Sequence, residues 1–358
     1  MELYFNMFKI KYLILDELLK DIEFEKGEEI NIFINLETVL KKIINTIEDK
    51  ENILSGPKRN LLLTSCVFNL IAHYRNYFNK RMVCSKVYIF GPENMDSQYL
   101  NRNYIEDYRK DVILLNMTKS TSIGHIYSHS IKIMKNILEY VEGVYFITSG
   151  IIEPSVVPLI VTEDLGNEKN KNFLISDDKY DYQYIKENFF ILKPRMDKSM
   201  LITSDNVMEI LKEKTKCTYT TNPHVNFIPF ILSILGDNYR SIPKVKRLGI
   251  STIYKLINSG IKNNKINENV TSISSLNQIV DAYNQNQIAL NYLCTNVREQ
   301  QKRLSNTDII HIKNQLIDKY DGGYLRNLND EYFMEFPLNI IEITRGIKNK
   351  KFSKISWK

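Results

Sequence analysis

Between Gly236 and Ile257 the chain reads Gly-Asp-Asn-Tyr-Arg-Ser-Ile-Pro-Lys-Val-Lys-Arg-Leu-Gly-Ile-Ser-Thr-Ile-Tyr-Lys-Leu-Ile, and few backbones accommodate that string. It predicts the end of one helix, a tight basic hairpin and the start of a second helix. Pro243 fixes the turn, and Gly249 is expected to take the unusual φ that so short a hairpin needs. The second helix is expected to begin at Thr252, with Ser251 as its cap. Free N–H groups in a first helical turn, with the positive end of the helix dipole, attract anions. Lys244, Lys246, Arg247 and Lys255 surround that turn with positive charge. Together with Gly249, Ser251 and Thr252 they form a candidate nucleic-acid contact, of the kind that positions a phosphate backbone and reads no sequence.

The rest of the chain alternates strand with helix. Ile30–Leu36, Lys86–Phe90, Val144–Thr148 and Asn172–Ile175 read as buried strands, while Thr38–Ile47, Leu61–Phe78 and Tyr127–Val141 carry helical spacing. Ile191–Leu192 and Met200–Ile202 suit a hairpin, Pro154–Thr162 a helix or a buried strand, and Lys179–Glu187 a helix start. Glu93–Lys110, dense in Asn, Tyr, Arg and acids, is expected to be an exposed, partly helical crossover. This order predicts an α/β fold, with a mostly parallel central sheet flanked by helices up to about residue 220. From Pro223 onward the pattern is helical, over Phe227–Leu235, Leu276–Gln300 and Thr307–Lys319, with an apolar Phe336–Ile343 segment near the end. The expected organisation is an N-terminal extension (1–29, strand-like at Leu3, Phe5, Phe8 and Ile10, then helical over Tyr12–Asp21), an α/β domain (30–222), a helix–hairpin–helix module (223–290) and a helical C-terminal region (291–358).

A chain of 358 residues, 43% apolar and 25% charged, buries a sizeable core, and its formal charge of +6 suits an anionic partner. Cys66, Cys84, Cys217 and Cys294 form no CxxC pair, which argues against zinc or a disulfide framework and for free thiols in a reducing compartment. No stretch reaches the apolar length needed to cross a bilayer, and the N-terminus is a poor signal peptide. The expected location is cytoplasmic (host cytoplasm or virion, for a viral chain). Heavy use of Ile, Asn, Lys and Tyr matches coding in AT-rich viral or microbial genomes.

Gly236-Asp237, Ile242-Pro243, Val245, Gly249, Thr252 and Lys255-Leu256 match, without a gap, the helix–three-turn–helix signature of the flap endonuclease and 5′–3′ exonuclease family, whose nuclease domain is PIN-like. The chain resembles that family over roughly residues 30–260. Ile32–Leu36 and Lys86–Gly91 resemble its first two metal-binding strands. Tyr104–Arg109 resembles its Tyr-Lys-x-x-Arg arch segment, Ile152–Val156 its Glu-Ala-Asp-Asp, and Leu174–Tyr184 its Val-x-Thr-Gly-Asp-x-Asp-Leu-x-Gln. The resemblance implies phosphodiester cleavage by two metal ions held on a cluster of carboxylates.

The carboxylates are largely missing. Asn35 and Gly91 stand where the family has Asp, and Ser155 and Val156 replace two aspartates beside Glu153. Asp178 survives, Tyr180 takes the second Asp position of its motif, and Asp181, one residue on, is expected to point elsewhere. Arg240 replaces the Asp inside the hairpin motif, Lys244 and Arg247 replace two glycines, and Ser251 replaces a Lys. Glu153 and Asp178, with an arginine beside them, are too few oxygen donors for two Mg²⁺ ions. They are therefore vestigial, and no catalytic residue, metal or other cofactor is expected. The expected function is non-catalytic binding of DNA backbone within a viral or phage nucleic-acid-processing assembly. Its rivals are an active Mg²⁺-dependent 5′ nuclease with a rearranged site at Glu153, Asp178 and Glu37, and a scaffold that binds only proteins.

Smaller signals have plainer readings. His125 and His129 have metal-ligand spacing on one helix face, but without a third ligand they read as a solvated or capping pair. His73 lies in an apolar helix and reads as a core residue. Asp177, Asp178 and Asp181 suit either a residual cation site or a cap for the helix that follows them. Tyr99–Tyr108 has the tyrosines to stack on bases, although 22 tyrosines in the chain make such a cluster ordinary. The basic tail Arg345–Lys358 suits nucleic acid and a solvated end equally.

Overall fold

Ile30–Asn35 is buried residue for residue, so the first strand needs cover on both faces, the situation of a central strand in a parallel sheet. The computed structural model, which describes residues 12–46, 58–93, 99–109, 123–164, 169–194, 200–212, 222–262, 265–266 and 273–323, provides that cover. Helix α1 (Tyr12–Leu18) precedes strand β1 (Glu29–Asn35), and helices α2 (Leu36–Thr46) and α3 (Lys58–Lys80) lead to β2 (Cys84–Pro92). Helix α4 (Ile123–Leu138) returns to β3 (Val144–Ser149) and α5 (Val157–Asp164) to β4 (Lys171–Ile175); β5 (Phe189–Lys193) and β6 (Met200–Ile202) follow. The strand order is β3-β2-β1-β4-β5-β6, parallel throughout except for the β5–β6 pair, where Ile191 lies opposite Ile202. This is the mostly parallel sheet flanked by helices that the sequence pattern predicts. Beyond α6 (Val207–Lys212) the described residues are largely helical: α7 (Ile228–Leu235), α8 (Ile250–Lys255), α9 (Ile273–Asn284), α10 (Gln287–Thr295), α11 (Val297–Lys302) and α12 (Asn306–Lys313). No helix among the described residues is long and apolar enough to cross a membrane.

Side chains alternate across a strand, and here the alternation separates two cores. Ile30, Ile32 and Ile34 pack with Leu40 and Ile43 of α2, Phe68 and Phe78 of α3, and Met134 of α4; Leu15 and Leu19 from the N-terminal segment join them. On the opposite face Phe33, Tyr88 and Leu174 pack with Ile160 of α5, Ile231 of α7, Ile253 of α8 and Cys294 of α10. The strand order reverses between β1 and β4, and in sheets of this kind ligands gather beyond the carboxyl ends of the strands at that reversal.

Of the two readings open for Pro154–Thr162 the helix holds, a 3₁₀ turn at Pro154–Val156 running into α5. Other segments refine or differ from expectation. Lys179–Tyr184 is a 3₁₀ helix. The run Leu276–Gln300 divides into three helices, broken at Asn286 (φ 56°) and at Asn296, whose side chain accepts the N–H groups of Arg298 and Glu299 and caps α11. The crossover is partly helical as expected, with a 3₁₀ turn at Leu100–Asn103, but only part of it is exposed: Asn103, Glu106 and Asp107 face solvent while Tyr99, Asn101, Tyr108 and Arg109 are buried. Asn101 explains part of this, since its side chain bonds Gln300 (3.2 Å) and Arg303 (3.1 Å) of the C-terminal helices. Leu3–Ile10, Phe336–Ile343 and the tail Arg345–Lys358 lie outside the described residues.

Among the described residues strand β3 is an edge of the sheet, and its open side is met by a side chain. Gln315, in a 3₁₀ turn after α12, donates from Nε2 to the Thr148 carbonyl (2.9 Å) and accepts the Thr148 N–H at Oε1 (3.0 Å). One amide thus pairs with the strand as a neighbouring strand would.

Candidate functional site

Five segments meet beyond the carboxyl ends of β1 and β4, and two arginines lie at their centre. Arg240, on the turn after α7, places Nε 3.2 Å from Glu153 Oε1, binds Asp178 through Nη2, and holds Nη1 3.4 Å from Asp178 Oδ1 and 3.5 Å from Asp237 Oδ2. Its guanidinium lies over the Tyr180 ring, 4.1 Å from the centroid. Arg109, from the crossover, donates from Nη2 to Glu153 Oε1 (2.5 Å) and from Nη1 to both oxygens of Glu37 (3.1 and 3.3 Å), a residue of the first turn of α2. Tyr108 donates to Glu153 Oε2 (2.9 Å) and Tyr239 to Glu37. The Arg109 N–H donates to the Arg240 carbonyl (3.1 Å), so the two arginine-bearing segments are tied together.

Glu37, Glu153, Arg109 and Arg240 are all buried. Burial opposes charge on Glu153 and Asp178, yet the neighbouring guanidinium groups, Arg109 and Arg240 for Glu153 and chiefly Arg240 for Asp178, hold both carboxyls below the usual range. Breaking any one of these pairs leaves a charge uncompensated in a low-dielectric interior, which is more costly than never having buried it.

Asp181 departs from expectation. A 3₁₀ helix brings positions three apart onto one side, so Asp181 stays beside Asp178 and reaches Asn35, whose Nδ2 donates to it at 3.0 Å. Ser176 Oγ lies 2.5 Å from the same oxygen. Burial, reinforced by the Asp178 charge, pushes the Asp181 carboxyl up to about 8, so it is protonated at neutral pH. Asp178 does cap this helix, accepting the Tyr180 N–H (3.0 Å). Asp177 instead pairs with Lys42 (3.0 Å) and Lys193 (2.7 Å).

At the end of β2, a Cβ on Gly91 would lie 2.2 Å from the Tyr127 hydroxyl, which donates to the Pro92 carbonyl (2.8 Å). The space a longer side chain would need at Gly91 is filled by Tyr127. Ser155 and Val156 are buried, Val156 in the second core. Asn35, Glu153, Asp178 and Arg240 therefore converge, while position 91 is closed.

The hairpin is built on a buried underside. Gly236 has φ +63°, and a Cβ there would lie 2.6 Å from the Ile242 carbonyl oxygen and 2.7 Å from the Lys244 nitrogen. Asp237 and Ile242 exchange backbone hydrogen bonds (2.9 and 2.8 Å), and Val245 N–H reaches the Ile234 carbonyl (2.9 Å). Asn291 of α10 donates to the carbonyls of Ser233 and Pro243, both at 2.7 Å. Ile242, Val245, Leu248 and Ile250 are buried, whereas Lys244, Lys246, Arg247, Gly249 and Lys255 are exposed and Ser251 and Thr252 half-buried. Two local expectations fail. Gly249 has φ −98° and is itself the N-cap of α8, so Ser251 lies inside the first turn and caps nothing; the left-handed positions are Gly236, Ser241 and Arg247 (φ 60°).

The remaining candidates separate cleanly. Tyr99 and Tyr108 are buried edge-to-face (6.1 Å between centroids), closed to bases. His73 is buried, and desolvation pushes it down to about 4, so it is neutral. His125 and His129 lie on α4, but their side chains fall outside what is described. The inward turn of Arg109 and the roles of Tyr108 and Tyr239 have no periodic signature in the sequence. The one available signal is Arg240 itself, a cation set among surviving acids.

No family model and no curated protein matches the chain. Solved structures do. The bacteriophage T5 flap endonuclease, in a pseudo-enzyme–product complex with DNA and metal ions, shares 10% identity at a TM-score of 0.55, over 89% of this chain and all of that one. The T5 5′-exonuclease with divalent zinc bound shares 9% identity at a TM-score of 0.54, over 80% of this chain and 99% of that one. The chain has the flap endonuclease/5′–3′ exonuclease fold. The donors here do not fit a pair of divalent ions: Glu37, Glu153 and Asp178 already bind guanidinium groups, and Asp181 is protonated. Among the described residues no three His, Cys, Asp or Glu side chains are grouped to hold a metal ion.

Proposed function

We propose that this protein binds the sugar–phosphate backbone of DNA without cleaving it, using the exposed face of the hairpin. The observation that carries the reading is the contrast in charge: Lys244, Lys246 and Arg247 face solvent over a buried underside, while the acids of the cleft are neutralised internally by Arg109 and Arg240. Backbone contacts of this kind read no sequence, which suits a subunit of a viral or phage nucleic-acid-processing assembly. A DNA complex of the phage T5 flap endonuclease with the same fold supports the choice of ligand. The test is binding of fluorescent branched and duplex DNA across a salt series, with flap cleavage followed in Mg²⁺ and Mn²⁺. Expected are binding at low salt, no cleavage, and a salt slope that falls by roughly 0.9 for each phosphate contact removed by Lys246→Ala and Arg247→Ala. No binding at low salt overturns the reading, as does cleavage that Asp178→Asn abolishes.

A further inference from the structure

Arg240 is held as a metal ion is held. Carboxylates from three separate segments, Glu153, Asp178 and Asp237, reach its guanidinium, with the longest contact 3.5 Å, and the side chain is 5% exposed. A guanidinium is planar and directional where a divalent ion is compact, but both supply fixed positive charge to buried oxygens. We propose that Arg240 is a built-in replacement for a divalent cation, so that the Glu153–Asp178–Asp237 pocket is a cation site whose ion belongs to the chain itself. Two consequences follow from the charges. The fold gains nothing from divalent cations while Arg240 is present. Removal of the guanidinium leaves a hole lined by three carboxylates, of which Glu153 retains Arg109 and Asp237 retains Lys179, 3.6 Å away, while Asp178 loses its closest cation. Such a hole takes up a cation that accepts oxygen ligands in flexible geometry, as Ca²⁺ does.

The test is thermal unfolding in EDTA and in millimolar CaCl₂, with calorimetric titration of Ca²⁺, for the wild type, Arg240→Ala, and Arg240→Ala combined with Asp178→Asn. The wild type is expected to melt at the same temperature in both solutions. Arg240→Ala should melt lower in EDTA, recover with Ca²⁺ and bind a single ion per chain; the double variant should lose both recovery and binding. A wild type stabilised by Ca²⁺ as strongly as the variant overturns the proposal, as does a folded Arg240→Ala that takes up no Ca²⁺. Should Arg240→Ala not fold, Arg240→Gln keeps much of the bulk and two N–H donors without the charge, and the same two results decide. None of these readouts involves DNA, so this inference stands or falls separately from the proposed function.

Discussion

In the cleft, Arg109 and Arg240 turn inward onto Glu37, Glu153 and Asp178; on the hairpin, Lys244, Lys246 and Arg247 turn outward above Ile242, Val245 and Leu248. The two regions are joined at a single turn, since Arg240 ends the stretch that starts at Gly236 and Lys244 follows within a few residues. What separates their roles is desolvation. A buried guanidinium paired with carboxylates has little charge to offer a phosphate, whereas an exposed lysine keeps its long-range attraction. The backbone sharpens the contrast. Arg109 and Arg247 both hold a left-handed φ near 60°, a conformation that L-residues avoid. For Arg109 the strain is held by two buried ion pairs; the exposed side chain of Arg247 offers no such compensation.

Five measurements would break or sharpen this comparison. The largest effect is expected in the cleft: Glu153→Gln leaves Arg109 and Arg240 underpaired and should lower unfolding free energy in urea by about 3–5 kcal/mol. An effect within experimental error would mean the arginines do not hold the cleft. In the hairpin, Gly236→Ala forces a left-handed alanine against backbone atoms and should lower stability by about 2 kcal/mol or more. Gly249→Ala, whose new Cβ meets nothing within 4 Å, should leave the melting temperature unchanged and show, by any loss of DNA affinity, how closely a phosphate approaches there.

The fourth measurement is pH dependence. The Asp181 carboxyl is raised from its unfolded value to about 8, so the folded chain keeps a proton that the unfolded chain releases. That contribution is complete below about pH 4 and is lost at up to about 1.4 kcal/mol per pH unit as pH rises toward 8. Glu153 and Asp178, held low, act in the opposite sense and lose their contribution as pH falls through their depressed values. Asp181→Asn should therefore remove the alkaline slope and leave the acid limb. An unchanged alkaline slope would show that Asp181 is ionised. The smallest effect is Arg247→Gly, expected to gain about 1 kcal/mol at most, because the looser unfolded chain of glycine offsets part of the relieved strain. The same variant should bind DNA less tightly.

The sheet was legible because its strands are short apolar runs punctuated by turn residues, and parallel strands buried on both faces leave that trace. The hairpin was legible because Gly236, Pro243 and the apolar row each have a local cause. The cleft was legible only in part. Asn35, Glu153, Asp178 and Arg240 lie where local motifs put them, but their partners Arg109 and Glu37 come from elements remote in sequence, and no periodicity links position 109 to 37 and 153. Asp181 was misplaced because the helix that starts at Lys179 is a 3₁₀ helix, whose repeat of three keeps Asp181 beside Asp178. The buried crossover was misread for a related reason: its polar residues find polar partners in the cleft and the C-terminal helices rather than in water.

The Gln315 amide on Thr148 has a consequence for how the chain is made. The edge of β3 emerges from the ribosome more than 160 residues before the side chain that covers it, and synthesis proceeds at only about 5–20 residues per second. For that interval the nascent sheet presents an open strand, a template for pairing with other chains. Chains ending before Gln315 should therefore self-associate during expression even where their core is complete, and Gln315→Ala should show a milder form of the same defect.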